Sequence, residues 1–293
     1  MKKVVLTFIT AFIFISLFAS FTLIDDIGRA VTFDSPAKRV VSAAPAVSDF
    51  LNYLDAKDNV IGVTDWDTTF YDIEKIGNMT PLNIEKIISL NPDIVFISGG
   101  FQENEIENLD KFGIKTFVIN PVNLNDIYES LVKVGFIIGK DNQAIEMAKK
   151  MRAEVTNIAI NSFNFKSHLK AIYIMDSSNP AEIWTSGLGS FFNEVIGYAG
   201  ALNLTSGLTG NNGWVAISSE YVIFENPDVI IVPTYYPGDE NAKNSVVKNP
   251  IYKNVNAVKN NHIIEVDGNK ASQASPSLIE VLKKLYNDLQ EIK

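Results

Sequence analysis

Short apolar runs alternate along this chain with longer segments in which apolar positions recur every three or four residues. The runs at 39–43, 60–63, 94–97 and 116–119 predict strands. The helical spacing at 48–54, 84–90, 103–112 and 124–138 predicts the helices between them. The same alternation returns in the second half, with strands at 171–175, 229–232 and 262–266 and helices at 191–199, 219–225 and 277–290. Uniformly apolar strands separated by amphipathic helices predict an α/β fold with mostly parallel sheets covered on both faces.

Between the halves, residues 141–161 contain neither proline nor glycine. Ile145, Ala148, Arg152, Val155 and Ile158 or Ala159 form a mainly apolar stripe at helical spacing, with Asp141 placed to cap the first turn. A helix of about 20 residues spans about 30 Å, enough to run from one lobe to the other. The expected organisation is a lobe over 23–140, a connecting helix over 141–167 and a second lobe over 168–293.

One internal echo supports equivalent lobes. Glu85 is followed by five residues and then Asn91-Pro92-Asp93, and Glu220 by five residues and then Asn226-Pro227-Asp228. Each unit reads as a short helix stopped before proline and followed by a strand.

The first residues carry a location signal. Lys2 and Lys3 precede an apolar run over 4–18, and Ala19, Ser20 and Thr22 supply small residues for cleavage. Residues 1–22 are therefore expected to be a secretory signal peptide. The alternative is an uncleaved anchor, because 4–24 is free of charge. Either way the bulk of the chain is expected to be exported.

Composition narrows the function. The formal net charge is −9, and arginine occurs only at Arg29, Arg39 and Arg152. No basic cluster interleaved with aromatics stands out, which argues against nucleic acid as a partner. The absence of cysteine excludes disulfides, thiolate metal sites, cysteine nucleophiles and a lipid-modified cysteine. No nucleophile elbow, phosphate loop or dinucleotide fingerprint is present, so no catalytic residue is assigned. The two histidines, His168 and His262, each sit near the start of a strand. That is too little for a bare metal ion, so neither a metal site nor a resident cofactor is expected.

Aromatic residues carry the stronger signal. Trp66 follows the strand at 60–63, Gly99-Gly100-Phe101 follows 94–97, and Tyr235 follows 229–232. Trp184 is read as part of the loop after the first strand of the second lobe, and Trp214 as the loop before the helix at 219–225. In open α/β sheets ligands bind beyond the carboxyl ends of the strands, so these aromatics are candidates for the two walls of a cleft.

Several stretches taken in order carry a resemblance: Asp26-Ile-Gly-Arg-Ala-Val-Thr-Phe, Lys38-Arg-Val-Val-Ser-Ala-Ala-Pro45, Trp184-Thr-Ser-Gly-Leu-Gly-Ser-Phe, Gly213-Trp-Val-Ala-Ile-Ser-Ser-Glu220 and the two Asn-Pro-Asp units. Together they resemble the periplasmic substrate-binding proteins of ABC importers, in the branch for vitamin B12 and iron–siderophores. The resemblance implies two α/β lobes joined by one long rigid helix, with only modest closure. It implies capture of a metal chelate of the iron–siderophore or cobalamin type and its delivery to an ABC permease and its ATPase by a monomer outside the cytoplasmic membrane. Residues matching Trp66, Trp184 and Trp214 wall the cleft in cobalamin-binding relatives, and positions matching Met79 and Gln273 also face it. The chain departs at Gln273, where the relatives carry arginine. Glu85 and Glu220 match exposed glutamates that dock onto permease arginines. Two alternatives stay open: a haem-binding protein of the same transporter class, and an exported hydrolase using a cleft carboxylate.

Overall fold

The structure, a computed structural model, describes residues 20–165, 168–175 and 179–292. Most of the expected leader therefore lies outside the described residues. Its expected boundary at 22 falls inside a strand, Phe21–Ile24, which pairs antiparallel with Ala30–Phe33. The Phe21 and Phe33 rings stack at 5.2 Å within the hairpin, and Phe33 lies 6.3 Å from Phe117, tying the hairpin to the first lobe.

Each lobe is built on a four-stranded sheet in which every pairing is parallel. In the first, the order is Val60–Val63, Val40–Ser42, Ile94–Ser98, Thr116–Ile119. In the second it is Leu202–Asn203, Lys170–Tyr173, Val229–Thr234, Ile263–Asp267. Counted within each lobe, both orders run second, first, third, fourth. The chain therefore reverses its winding direction beside the first strand of each lobe, and such switch points open a crevice at the carboxyl edge.

The repeated unit is the same structure twice. Asn83 and Ser218 cap the helices Ile84–Leu90 and Ser219–Glu225 through their side chains. Asn91 and Asn226 end them in the left-handed conformation, at φ 46° and 47°. The aspartates that follow then do equivalent work. Asp93 accepts from the Lys38 and Arg39 backbone N–H groups, and Asp228 from that of Lys170, fixing the third strand of each sheet beside the first.

The two sheets share a core. Ile94 and Phe96 in the first lobe and Ala171, Tyr173, Val229 and Ile231 in the second belong to one buried cluster. The alternating residues Val95 and Ile97, and Ile172 and Ile230, fill separate outer cores. The shared cluster passes through the connecting helix Asp141–Phe163. At 23 residues this helix is about 35 Å long. Its buried positions are Ala144, Ala148, Met151, Val155, Ile158 and Ser162. That corrects the expected stripe, because Arg152 is exposed and lies over the Tyr128 ring at 5.1 Å. Asp141 is the first helical residue rather than the cap, which is Lys140. The helix lies against its predecessor Leu124–Ile138 closely enough that a Cβ on Gly135 would come within 2.2 Å of the Ala144 Cβ.

Polar bonds join the lobes on both sides of this helix. The Leu124 N–H donates to the Glu194 carboxylate at 2.9 Å. Across the molecule, the Ser277 N–H donates to Asp49 at 2.8 Å and the Tyr53 hydroxyl to Glu280 at 2.7 Å. Among the described residues no helix is long and apolar enough to cross a membrane.

Candidate functional site

A cavity of about 460 Å³ opens between the lobes at the carboxyl edges of their sheets. The first lobe contributes four loops: the turn into the helix Pro45–Tyr53, the Met79 loop, Ser98–Phe101 after the third strand, and 119–122 after the fourth. Pro45 opens its helix at a position where a missing N–H costs nothing.

A side chain absent from the expected site holds the first three of these loops. Gln102 is fully buried, and its amide donates to the Ala43 carbonyl at 2.8 Å and the Met79 carbonyl at 2.7 Å. Its carbonyl accepts from the Ser98 N–H at 2.8 Å. One amide therefore satisfies three backbone groups from three separate loops, a task suited to a side chain with two donors and an acceptor. The only sequence signal is a glutamine two residues beyond a Gly-Gly pair at a strand end.

The second lobe presents an antiparallel ladder in place of the loops expected for Trp184 and Trp214. Strands Ile183–Ser186 and Trp214–Ile217 pair with Trp184 opposite Ala216 and Trp214 opposite Ser186. Directly opposed residues share a face, as do alternate residues along a strand. Trp184 and Trp214 thus stand on one face, while Ile183, Thr185, Val215 and Ile217 turn to the other. Trp214 packs edge-on to Phe191 at 5.5 Å and tilted on Tyr173 at 6.2 Å. A buried polar network anchors the ladder: Asn203 donates to the Ser186 carbonyl and to Asn193, and the Thr205 hydroxyl donates to the same carbonyl. Gly213 makes the entry turn at φ 79°, where a Cβ would meet the Ser190 nitrogen at 2.0 Å.

Four of the seven expected ligand residues line this cavity: Met79 and Phe101 from the first lobe, Trp214 and Gln273 from the second. Three do not. Trp66 is 62 % exposed beyond the strand Val60–Val63. Trp184 is 42 % exposed on the ladder face that it shares with Trp214. Tyr235 borders a different depression, where its ring lies against Gly268 and its hydroxyl is 3.4 Å from Ser272, a residue of the cavity wall.

The described residues lining the cavity are alanines, aromatics, aliphatics, glycines, prolines, serines, Asn120, Asn212, Gln273 and Met79; none of these carries an ionisable side chain. Among the described residues, hydrogen-bonding capacity is thus present as neutral amides and hydroxyls. The histidines stand apart, with His168 Nδ1 3.0 Å from the Gly200 carbonyl and His262 Nδ1 3.2 Å from that of Asp228. Among the described residues no group of three or more His, Cys, Asp or Glu side chains could hold a metal ion. Glu85 and Glu220 are exposed, each one residue into its helix. The Ser218 hydroxyl and the backbone hold the Glu220 carboxyl below its ordinary range.

Comparison with known proteins places this architecture. A model of the periplasmic binding protein family matches residues 40–269. The chain is 29 % identical over 276 residues to the uncharacterized ABC transporter substrate-binding lipoprotein YvrC of Bacillus subtilis, an alignment covering 92 % of this chain and 85 % of that protein. It is 22 % identical over 276 residues to a cobalamin-binding protein of Halobacterium salinarum, covering 90 % and 72 %. Its fold matches the crystal structure of an ABC-type Fe3+-hydroxamate transport system from Saccharomonospora viridis with a TM-score of 0.74 at 19 % identity, covering 92 % and 98 %. With matches that run through both lobes and the helix between them, the chain belongs to the periplasmic binding protein family.

Proposed function

We propose that the protein is the extracytoplasmic substrate-binding component of an ABC importer, which captures a bulky metal chelate of low charge as a monomer and delivers it to a permease and its ATPase. The observation that carries this reading is the cavity between the lobes, walled by Phe101, Met79 and Trp214 and, among the described residues, free of ionisable side chains. Apolar walls with a few placed polar groups suit a large organic ligand. A highly anionic siderophore would lose hydration there with no cation to replace it. The carboxylates of haem meet the same objection, which favours a neutral iron chelate or cobalamin. The relatives to which the chain is similar are named as binding proteins, which supports capture over the hydrolase alternative.

The glutamates fit delivery. In a parallel sheet the helix that crosses back begins near the carboxyl edges of the strands. Glu85 and Glu220 begin the helices that lead into the third strand of each lobe. Both carboxylates are thereby carried toward the edge where the cleft opens, one per lobe, in a position to orient the protein on a partner with two cationic sites.

The test is native mass spectrometry after exposure to ferrichrome, cobalamin, haem and a ferric catecholate. The reading predicts one neutral chelate or cobalamin retained per chain. Retention of the catecholate alone would contradict it.

A further inference from the structure

The two helices that carry the glutamates match position by position, and they differ at one exposed place. Glu85 corresponds to Glu220, Ile87 to Val222, both buried, and Ile88 to Ile223, both exposed. Lys86 and Tyr221 are each tied down, Lys86 to Glu74 and the Tyr221 hydroxyl to the Leu204 carbonyl. At the next position the first lobe has Ser89 and the second has Phe224, which is 83 % exposed. Ser89 is satisfied locally by donating to the Lys86 carbonyl.

Phe224 lies four residues after Glu220 and Ile223 lies three after it, so all three share one helix face. A single exposed apolar side chain needs no explanation. Here two adjacent ones flank a carboxylate, and only the aliphatic member has a counterpart in the other lobe.

We infer that Phe224 is an apolar anchor that seats the second lobe on the extracytoplasmic surface of the permease, inserting into a recess beside the cation that meets Glu220. This inference rests on the docking role proposed for the glutamates. The occupant follows from continuity, because any surface close enough to pair with Glu220 also covers Ile223 and Phe224. A partner with two cationic sites offers a recess beside each, and the first lobe leaves its own unfilled, since Ser89 has nothing to insert. The glutamates then govern encounter and orientation, which salt screens, while Phe224 governs how long the second lobe stays bound.

The experiment measures binding of the purified full chain to membrane vesicles from its source cell at low and high salt. The variants are Phe224→Ser, Ser89→Phe and the double change Glu85→Gln with Glu220→Gln. Melting temperature, ferrichrome and cobalamin binding and sedimentation are recorded for each. The expected result for Phe224→Ser is vesicle binding weakened about tenfold with its salt dependence intact, and unchanged melting, chelate binding and monomeric sedimentation. Ser89→Phe is expected to bind vesicles at least as well as the unaltered chain. Unchanged vesicle binding by Phe224→Ser would overturn the anchor, as would a dimer that this change disperses, since a second copy would then be what covers the residue. Loss of binding in the glutamate variant with none in Phe224→Ser would leave docking standing and remove the anchor. Loss in Phe224→Ser alone would keep the anchor and remove the charge pairing.

Discussion

The Asp49 carboxylate accepts the Ser277 backbone N–H at 2.8 Å, joining the first helix of one lobe to the entry of the C-terminal helix 228 residues later. Burial outweighs the hydrogen bonds from Ser275 and Ser277 and holds the Asp49 carboxyl above its ordinary range. An acid raised in this way binds its proton more tightly folded than unfolded. Its contribution to stability is therefore fully present in acid and is lost as pH rises from its unfolded value through its folded one. Asp49→Asn keeps an acceptor for Ser277 and removes the titration. Relative to the unaltered chain it should gain stability as pH rises through that window, measured by urea unfolding across pH. Asp49→Ala should cost about 1–3 kcal/mol by stranding a buried N–H.

Gln102 supports the first wall of the cleft without being proposed to touch ligand. Gln102→Leu leaves the Ala43 and Met79 carbonyls and the Ser98 N–H without their side-chain partner and should cost about 2–4 kcal/mol. Gln102→Glu should be worse at neutral pH, because a carboxylate oxygen would replace the donor facing two carbonyls. Thermal unfolding of both variants checks the order.

How much of this was legible in the sequence depends on locality. Val60–Val63, Ile84–Leu90, Thr116–Ile119, Leu124–Ile138 and Ser219–Glu225 were expected at the bounds they adopt, because their periodicity and caps lie within each segment. The ladder carrying Trp184 and Trp214 was not expected, since two four-residue strands 27 residues apart in register become strands only by finding each other. Gln102 was missed for the same reason, its three partners being scattered from Ala43 to Ser98. The aromatics beyond strand ends were visible. Which of them reach the cavity was not, because Trp66 and Tyr235 follow strands as Phe101 does, yet only Phe101 lines it.

The histidines should be dispensable for capture. Each ring sits beside a backbone carbonyl away from the cavity wall. His168→Ala combined with His262→Ala should leave chelate affinity within about threefold by calorimetry. A hundredfold loss would mean that a histidine reaches the metal.

The docking glutamates separate delivery from capture. Glu85→Gln with Glu220→Gln should leave chelate binding and melting near those of the unaltered chain. It should strongly reduce uptake, and by more than either single change. Uptake at the normal rate by a correctly exported double variant would remove their proposed role.

The cleft itself is tested most directly by tryptophan emission during chelate titration. Trp66, Trp184 and Trp214 are all the tryptophans of the chain, and Trp214 lines the cavity while Trp184 shares its ladder face. Titration with ferrichrome and with cobalamin should give, for the chelate that binds, saturation at one per chain with the Trp214 emission quenched. Trp214→Ala should weaken that binding by about 1–3 kcal/mol. Tight binding that leaves emission unchanged, with affinity unaffected by Trp214→Ala, would contradict a ligand held between the lobes.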